Sequence, residues 1–220
     1  MPVINEVGAE RYQHSTPKNQ KHCRSILTLF QIKLNKIKNE IVIYGPQLIP
    51  QWHPLSTLKC WHCGWYQRKL ILYDQTVVNI IIYRFYCPET KKTYSLLPFF
   101  ISRYERHINT TIENIITAYF QENTPVGVLA TEPSPSPWTI RRWLRKFQAN
   151  LSELRQKVEE FLINNLPTYR PIAAWSNTIP QQLTDLLVKS DLLPFPLKET
   201  YSYGHLSYLN YAAAVQAPKL

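Results

Sequence analysis

Glycine is scarce in this chain, with five in 220 residues. So few leave little for a glycine-rich phosphate cradle, and no G-x-x-x-x-G-K-[ST] loop is present. Neither a G-x-S-x-G nucleophile elbow nor an H-E-x-x-H zinc helix occurs. Long apolar runs are missing as well. A bilayer span needs about 18 consecutive apolar residues, and the most apolar stretch, Val77 to Tyr86, is broken by Asn79 and Arg84. The first residues lack the charged-then-apolar layout of a secretory leader. Four cysteines at uneven spacing do not read as a secreted disulfide framework. The expectation is a cytoplasmic protein without a membrane partner.

Acids are few too: 15 Asp plus Glu stand against 25 Lys plus Arg, a formal net charge of +10. That excess favours a polyanionic partner through counterion release. A generally basic protein with no nucleic-acid role is the plainer alternative. With 45% hydrophobic and 18% charged residues the chain is set to fold.

Residues 1 to about 24 are polar and basic and read as a loose arm. Ser25 to Tyr44 alternates apolar and basic residues, which suits strands ending at Gly45-Pro46; a helix across Ile32 to Ile41 stays open. Pro50 to Pro98 reads as an antiparallel β unit, with strands at Trp65–Tyr73, Val77–Tyr86 and Thr93–Leu97. The middle one is apolar on both faces, so it is expected to be central. From Ile108 the period becomes helical: Ile112, Ile115, Ile116, Tyr119 and Phe120 share a face, capped by Asn109 or Thr110. A short helix is expected at Val126 to Thr131, then a proline-broken loop.

The stretch Ser136-Pro-Trp-Thr-Ile-Arg-Arg-Trp-Leu-Arg-Lys-Phe147 carries the main signal. Ser136 suits the N-cap and Pro137 the first helical position. Ile140, Trp143, Leu144 and Phe147 recur at i, i+3, i+4, i+7 and form one apolar stripe. Trp138, Thr139, Arg141, Arg142, Arg145 and Lys146 occupy the rest of the surface. Arginine pairs bidentately with guanine or phosphate, so this face suits a DNA groove. Lys91, Lys92, Arg103 and Arg106 are candidate backbone contacts. Three helices in this order, the last one basic, suggest a helix-turn-helix. The helix either runs on to about Asn164 or breaks near Asn150 to Ser152. Its later part, residues 151–165, spaces Leu151, Leu154, Val158 and Phe161 as a packing stripe or as a surface for a protein partner or second copy. A further helix is expected at Gln181 to Ser190, and the tyrosine-rich stretch Tyr201 to Tyr211 either covers the core or stacks on bases.

Cys60-x-x-Cys63 followed by Cys87 after two strands has the layout of a zinc ribbon, with Thr90 where a fourth sulfur belongs. Three readings stand: structural zinc on Cys60, Cys63 and Cys87 with an unidentified fourth ligand such as His62, His53 or Cys23; a ribbon fold kept without metal; or unrelated core cysteines.

Taken together, Cys60-Trp-His-Cys63, Arg84-Phe-Tyr-Cys87-Pro, Lys92-Thr-Tyr-Ser-Leu-Leu-Pro98 and Ser136-Pro-Trp-Thr-Ile-Arg-Arg-Trp143 resemble the zinc-ribbon plus helix-turn-helix front end of bacterial insertion-sequence transposases. They are also similar to small stand-alone bacterial proteins that share that front end. The resemblance covers about residues 55 to 148. It implies that ribbon and helices bind DNA, with recognition positions at Thr139, Arg141, Arg142 and Arg145. Roughly 70 residues after Phe147 are too few for an RNase H-like catalytic core at normal domain size.

The resulting reading is an α+β chain in four segments. Residues 1–50 form a basic arm and strands, and 51–100 a degenerate zinc-ribbon-like antiparallel module. Residues 101–148 form a helix-turn-helix, and 149–220 a helical C-terminal region entered by a long helix. The expected function is duplex DNA binding without catalysis. The rivals are an accessory subunit of a mobile-element machine, a transposase remnant, and a single-strand binder using Trp52, Trp61, Trp65 and the tyrosines.

Overall fold

The first strand of the computed structural model, β1 (Arg24–Thr28), lies beside the last strand of the sheet, not apart from it. Described are residues 24–28, 33–37, 40–44, 48–51, 53–130, 135–171, 178–193 and 204–215, the strands at 33–37 and 40–44 by backbone alone. The expected basic arm up to residue 23, Thr131, the first three residues (132–134) of the proline-broken loop, Trp52 and Tyr201 lie outside them. The remaining strands are β2 (Lys33–Ile37), β3 (Glu40–Tyr44), β4 (Trp61–Ile71), β5 (Val77–Cys87) and β6 (Lys92–Pro98). The helices are α1 (Asn109–Phe120), α2 (Val126–Leu129), α3 (Pro137–Asn165), α4 (Ile179–Asp191) and α5 (His205–Val215). This is an α+β fold.

β5 is the central strand. It pairs antiparallel with β4 from Ile71↔Val77 to Trp61↔Tyr86, with a bulge between His62 and Gly64. Its other edge is divided: β3 pairs parallel with its start (Val42↔Asn79 to Tyr44↔Ile81), and β6 antiparallel with its end (Arg84↔Ser95 to Cys87↔Lys92). β1 then joins β6 in parallel, and β2 joins β3 antiparallel. Within 51–100 the strands β4, β5 and β6 are antiparallel, as the sequence suggested; the parallel pairings of β1 and β3 make the whole sheet mixed. The strands N-terminal to residue 50 complete the same sheet.

Strand alternation sends successive side chains to opposite faces. Val78, Ile80 and Ile82 are buried with Leu70, Leu97 and Phe99 in the main core, against the helices. Phe85 and Cys87 point to the other face and join Ile26, Leu55, Tyr94 and Leu96 in a smaller core. A 3-10 turn at Pro54–Thr57, capped by His53 Nδ1 accepting from the Leu55 N–H, brings Leu55 into that second core. The apolar run of β5 thus serves two cores, one on each face.

α3 is continuous over 29 residues. Its expected stripe, Ile140, Trp143, Leu144 and Phe147, is buried in the main core, as are Leu151, Val158 and Phe161 further on. The 151–165 stripe therefore packs within the chain. Glu159 anchors that end: it pairs with Lys189 of α4 and accepts from the Tyr169 hydroxyl at 2.8 Å. α5 buries Leu206, Leu209, Tyr208 and Tyr211, the two tyrosines with their rings against Phe99. Its tyrosines cover core.

Local signals were partly displaced. α1 is capped at Ile108 without a side-chain hydrogen bond. Asn109 is instead buried, its amide donating to the Phe99 carbonyl (3.1 Å) and accepting from the Ser102 hydroxyl (2.8 Å). α2 is a single turn ending at Leu129. The recognition-like helix is thus preceded by one turn and a long connection, not by the tight turn of the usual helix-turn-helix.

Candidate nucleic-acid interface

Ser136 caps α3, accepting from the Thr139 N–H at 3.3 Å, so the basic end of the helix begins where the sequence places it. With Ile140, Trp143, Leu144 and Phe147 turned inward, Trp138, Arg141, Arg145 and Lys146 are exposed. Thr139 is half-buried. Arg145 Nε donates to the Arg141 carbonyl at 3.3 Å, which holds the side chain along the helix.

Arg142 is placed differently from its neighbours. Its guanidinium donates to the Glu105 carboxylate at 2.5 Å and lies 5.2 Å from the Trp138 ring centroid. The same Glu105 oxygen accepts from Trp143 Nε1 at 2.9 Å. Glu105 is buried, and its charge is met by an arginine and an indole N–H from adjacent positions of one helix. Arg142 therefore serves first as a clamp on the loop before α1.

That loop, residues 102–107, carries two of the other predicted cations, Arg103 and Arg106. It is stitched to the end of the β4–β5 hairpin: Ile71 N–H donates to the Arg106 carbonyl (2.7 Å) and Ile108 N–H to the Ile71 carbonyl (3.2 Å). Beneath it, Arg68 donates to the Ser102 carbonyl at 3.4 Å, and burial pulls its pKa down. Above it, His107 packs edge-on against Trp143 at 5.2 Å. Tyr104, at the tip, is 79% exposed and adopts a φ of 65°, a left-handed conformation that costs a non-glycine residue free energy. The Arg103 guanidinium lies 4.6 Å from the Tyr104 ring centroid. Arg103 and Arg106 are exposed.

A cleft of about 500 Å³ between this loop, α3 and α5 has both Arg103 and Lys146 in its lining, over a floor including Phe99, Trp143 and Phe147. One loop cation, Arg103, and one helix cation, Lys146, thus border the same cleft, with Glu105 and Glu153 also in its lining. Lys91 and Lys92 do not join it. They sit at the β5–β6 turn, at the opposite end of β5 from Ile71, and an 11-residue strand spans roughly 35 Å.

The cysteines divide as well. Extending the ladder one place beyond Trp61↔Tyr86 sets Cys60 opposite Cys87. Cys60 donates to the Leu55 carbonyl at 3.7 Å. Burial raises its pKa to about 11, with the facing Cys87 adding to the rise. Burial acts upward on Cys87 too, but hydrogen bonds from the Thr90 side chain and backbone, from Cys60 and from the Glu89 backbone outweigh it, and the net shift is downward. Cys63 lies at the β-bulge between His62 and Gly64 and is exposed. The Cys-x-x-Cys is drawn out along a strand, about 10 Å over three residues, instead of folding into a knuckle. Among the described residues no group of three or more His, Cys, Asp or Glu side chains is arranged to hold a metal.

Sequence reasoning passed over Glu105, His107, Tyr104 and Arg68. The available signal was Glu105 itself, a lone acid between Arg103 and Arg106.

Residues 54–143 match the family model described as Domain of unknown function (DUF6431). The match is less than half of the chain and runs from the 3-10 turn to Trp143, so it takes in the β4–β6 meander, the stitched loop and the capped start of α3. No curated protein and no solved structure matches the chain. No helix among the described residues is long and apolar enough to cross a membrane.

The pKa shifts give a pH expectation. Burial lowers His107, partly offset by Glu105, and burial also lowers His53. A histidine whose folded pKa is depressed binds protons better when unfolded, so stability is lost as pH falls below the ordinary value of about 6.5. Glu113 is raised, mainly by burial, and acts oppositely: its contribution falls as pH rises through the folded pKa. His107→Gln should therefore flatten the decline in unfolding free energy between about pH 7.5 and 5.5 relative to the parent. Superimposable urea-derived pH profiles for the two proteins would refute this role of His107.

Proposed function

We propose that this chain is a non-enzymatic double-stranded DNA-binding protein that meets the duplex with the first third of α3 and the loop 102–107. The observation that carries the reading is the Glu105 clamp. One buried carboxylate, held by Arg142 and Trp143, fixes a loop bearing Arg103 and Arg106 against a helix bearing Arg141, Arg145 and Lys146. Pre-positioned cations lose little side-chain and loop entropy on binding a phosphate backbone. Trp138 and Tyr104 add exposed aromatic surface at the same place.

Ser190, His205 and Asp191 form a polar cluster that does not have the geometry of a catalytic triad. Ser190 and Asp191 both approach the same imidazole nitrogen, Nδ1, the latter at 3.6 Å, and Ser190 is fully buried. A nucleophilic relay needs the serine and the acid on different ring nitrogens. That cluster reads as a lock between α4 and α5.

The test is fluorescence anisotropy with a labelled random-sequence duplex at several salt concentrations. Each phosphate contact removed lowers the slope of log affinity against log salt by about 0.9. The triple variant Arg141→Ala, Arg145→Ala, Lys146→Ala should lower that slope by about 2–3 and weaken binding across sequences. Unchanged affinity and slope would remove the helix from the interface. Tighter binding to a single-stranded oligonucleotide of the same sequence would replace the duplex reading with the single-strand one.

A further inference from the structure

We propose that Cys60 and Cys87 are an oxidisable cross-strand pair that closes into a disulfide, with Cys63 outside the link. The two residues lie one place beyond the last pair of the β4–β5 ladder and face each other directly. Directly opposed residues on antiparallel strands have Cα atoms about 4.5–5.5 Å apart, inside the range of about 4.4–6.8 Å that a disulfide spans. Both side chains lie on the face of the smaller core, where Cys60 packs against Leu55, Phe85 and their neighbours. Cys60 is half-buried and reaches solvent, whereas Cys87 is fully buried. Cys63, though only two residues from Trp61, is carried along the strand to the bulge and away from this pair.

The reaction with a small-molecule disulfide balances in two exchanges. Cys60, the thiol of the pair that reaches solvent, gives up its proton as it attacks the reagent and expels one thiolate, giving a mixed disulfide at the accessible position. The Cys87 sulfur then attacks the Cys60 sulfur and expels the second thiolate. Two protein thiols are oxidised, one small disulfide is reduced to two thiols, and the two protons go to the released thiolates. The product joins the residue before β4 to the last residue of β5, closing the open end of the hairpin opposite its 72–76 turn. Both sulfurs are then consumed and cannot ligate a metal.

Full-length reduced protein would be equilibrated with mixtures of reduced and oxidised glutathione, quenched by alkylation and mapped by mass spectrometry. The expected product is a Cys60–Cys87 cross-linked peptide that grows with the oxidised fraction and is lost on re-reduction, with Cys63 alkylated or carrying glutathione alone. The cross-linked form should melt roughly 5–10 °C higher, because the link constrains the unfolded chain. Cys63→Ser should keep both the link and the shift, and Cys60→Ser should abolish both. Predominant links through Cys63 or Cys23, or Cys60 and Cys87 both remaining alkylatable in the most oxidised mixture, would overturn the proposal.

Discussion

Trp143→Ala is expected to cost about 3–5 kcal/mol of folding stability, the range for a large aromatic removed from a packed core. Trp143 is 2% exposed and stands where α3, the stitched loop and the sheet meet. Its ring packs edge-on against His107, and its Nε1–H donates to Glu105. Alanine therefore removes core volume and a hydrogen bond to a buried carboxylate together. Trp143→Phe separates the two. It keeps most of the apolar contact but removes the donor, and a hydrogen bond to a charged group is worth about 1.5–3 kcal/mol. The phenylalanine variant should fall between the parent and alanine in urea unfolding followed by far-ultraviolet circular dichroism. An alanine variant losing under about 1 kcal/mol would mean that the site collapses around the gap or that the indole is not an anchor.

Legibility from the sequence followed the range of the interactions involved. The start of α3 was readable because every determinant lies within one helix: Ser136 caps, Pro137 opens, and Ile140, Trp143, Leu144 and Phe147 fall on one face. The centrality of β5 was readable because a strand apolar on both sides must be covered on both. The parallel pairings were not, since β1 on β6 and β3 on β5 join residues distant in the chain and no local pattern encodes them. Asn109 was misassigned for a related reason. As a cap it would have satisfied a local N–H; buried, it ties α1 to the carbonyl of Phe99. The Cys-x-x-Cys spacing suggested a knuckle; Trp61 to Ile71 instead pairs with β5 except at the bulge that holds Cys63, and this extended backbone carries Cys63 along the strand from Cys60. At the candidate interface the cations of helix and loop were legible singly. Their union was not, because it depends on Glu105, an acid whose significance appears only when Arg142 and Trp143 lie across from it.

Glu105→Gln sets that geometry against simple electrostatics. The substitution removes one negative charge from a chain of net charge +10, so charge alone predicts tighter DNA binding with a steeper salt dependence. The clamp predicts the reverse. A neutral amide holds Arg142 less firmly, and its NH₂ group has no acceptor among the two donors it meets. Arg142 keeps 40% of its side chain in solvent, so the ion pair is partly screened, and the stability loss should be modest, about 1–2 kcal/mol. The larger consequence falls on the loop. With Arg103 and Arg106 no longer fixed beside Arg141, Arg145 and Lys146, binding must order them, and duplex affinity should drop about three- to tenfold with a shallower salt slope. Arg142→Lys should behave similarly, since lysine keeps the charge but lacks the planar fork that reaches the carboxylate while lying over Trp138. If Glu105→Gln instead binds duplex more tightly and with a steeper slope, Glu105 acts on DNA only as a repelling charge, and the loop and helix are not a single pre-formed surface.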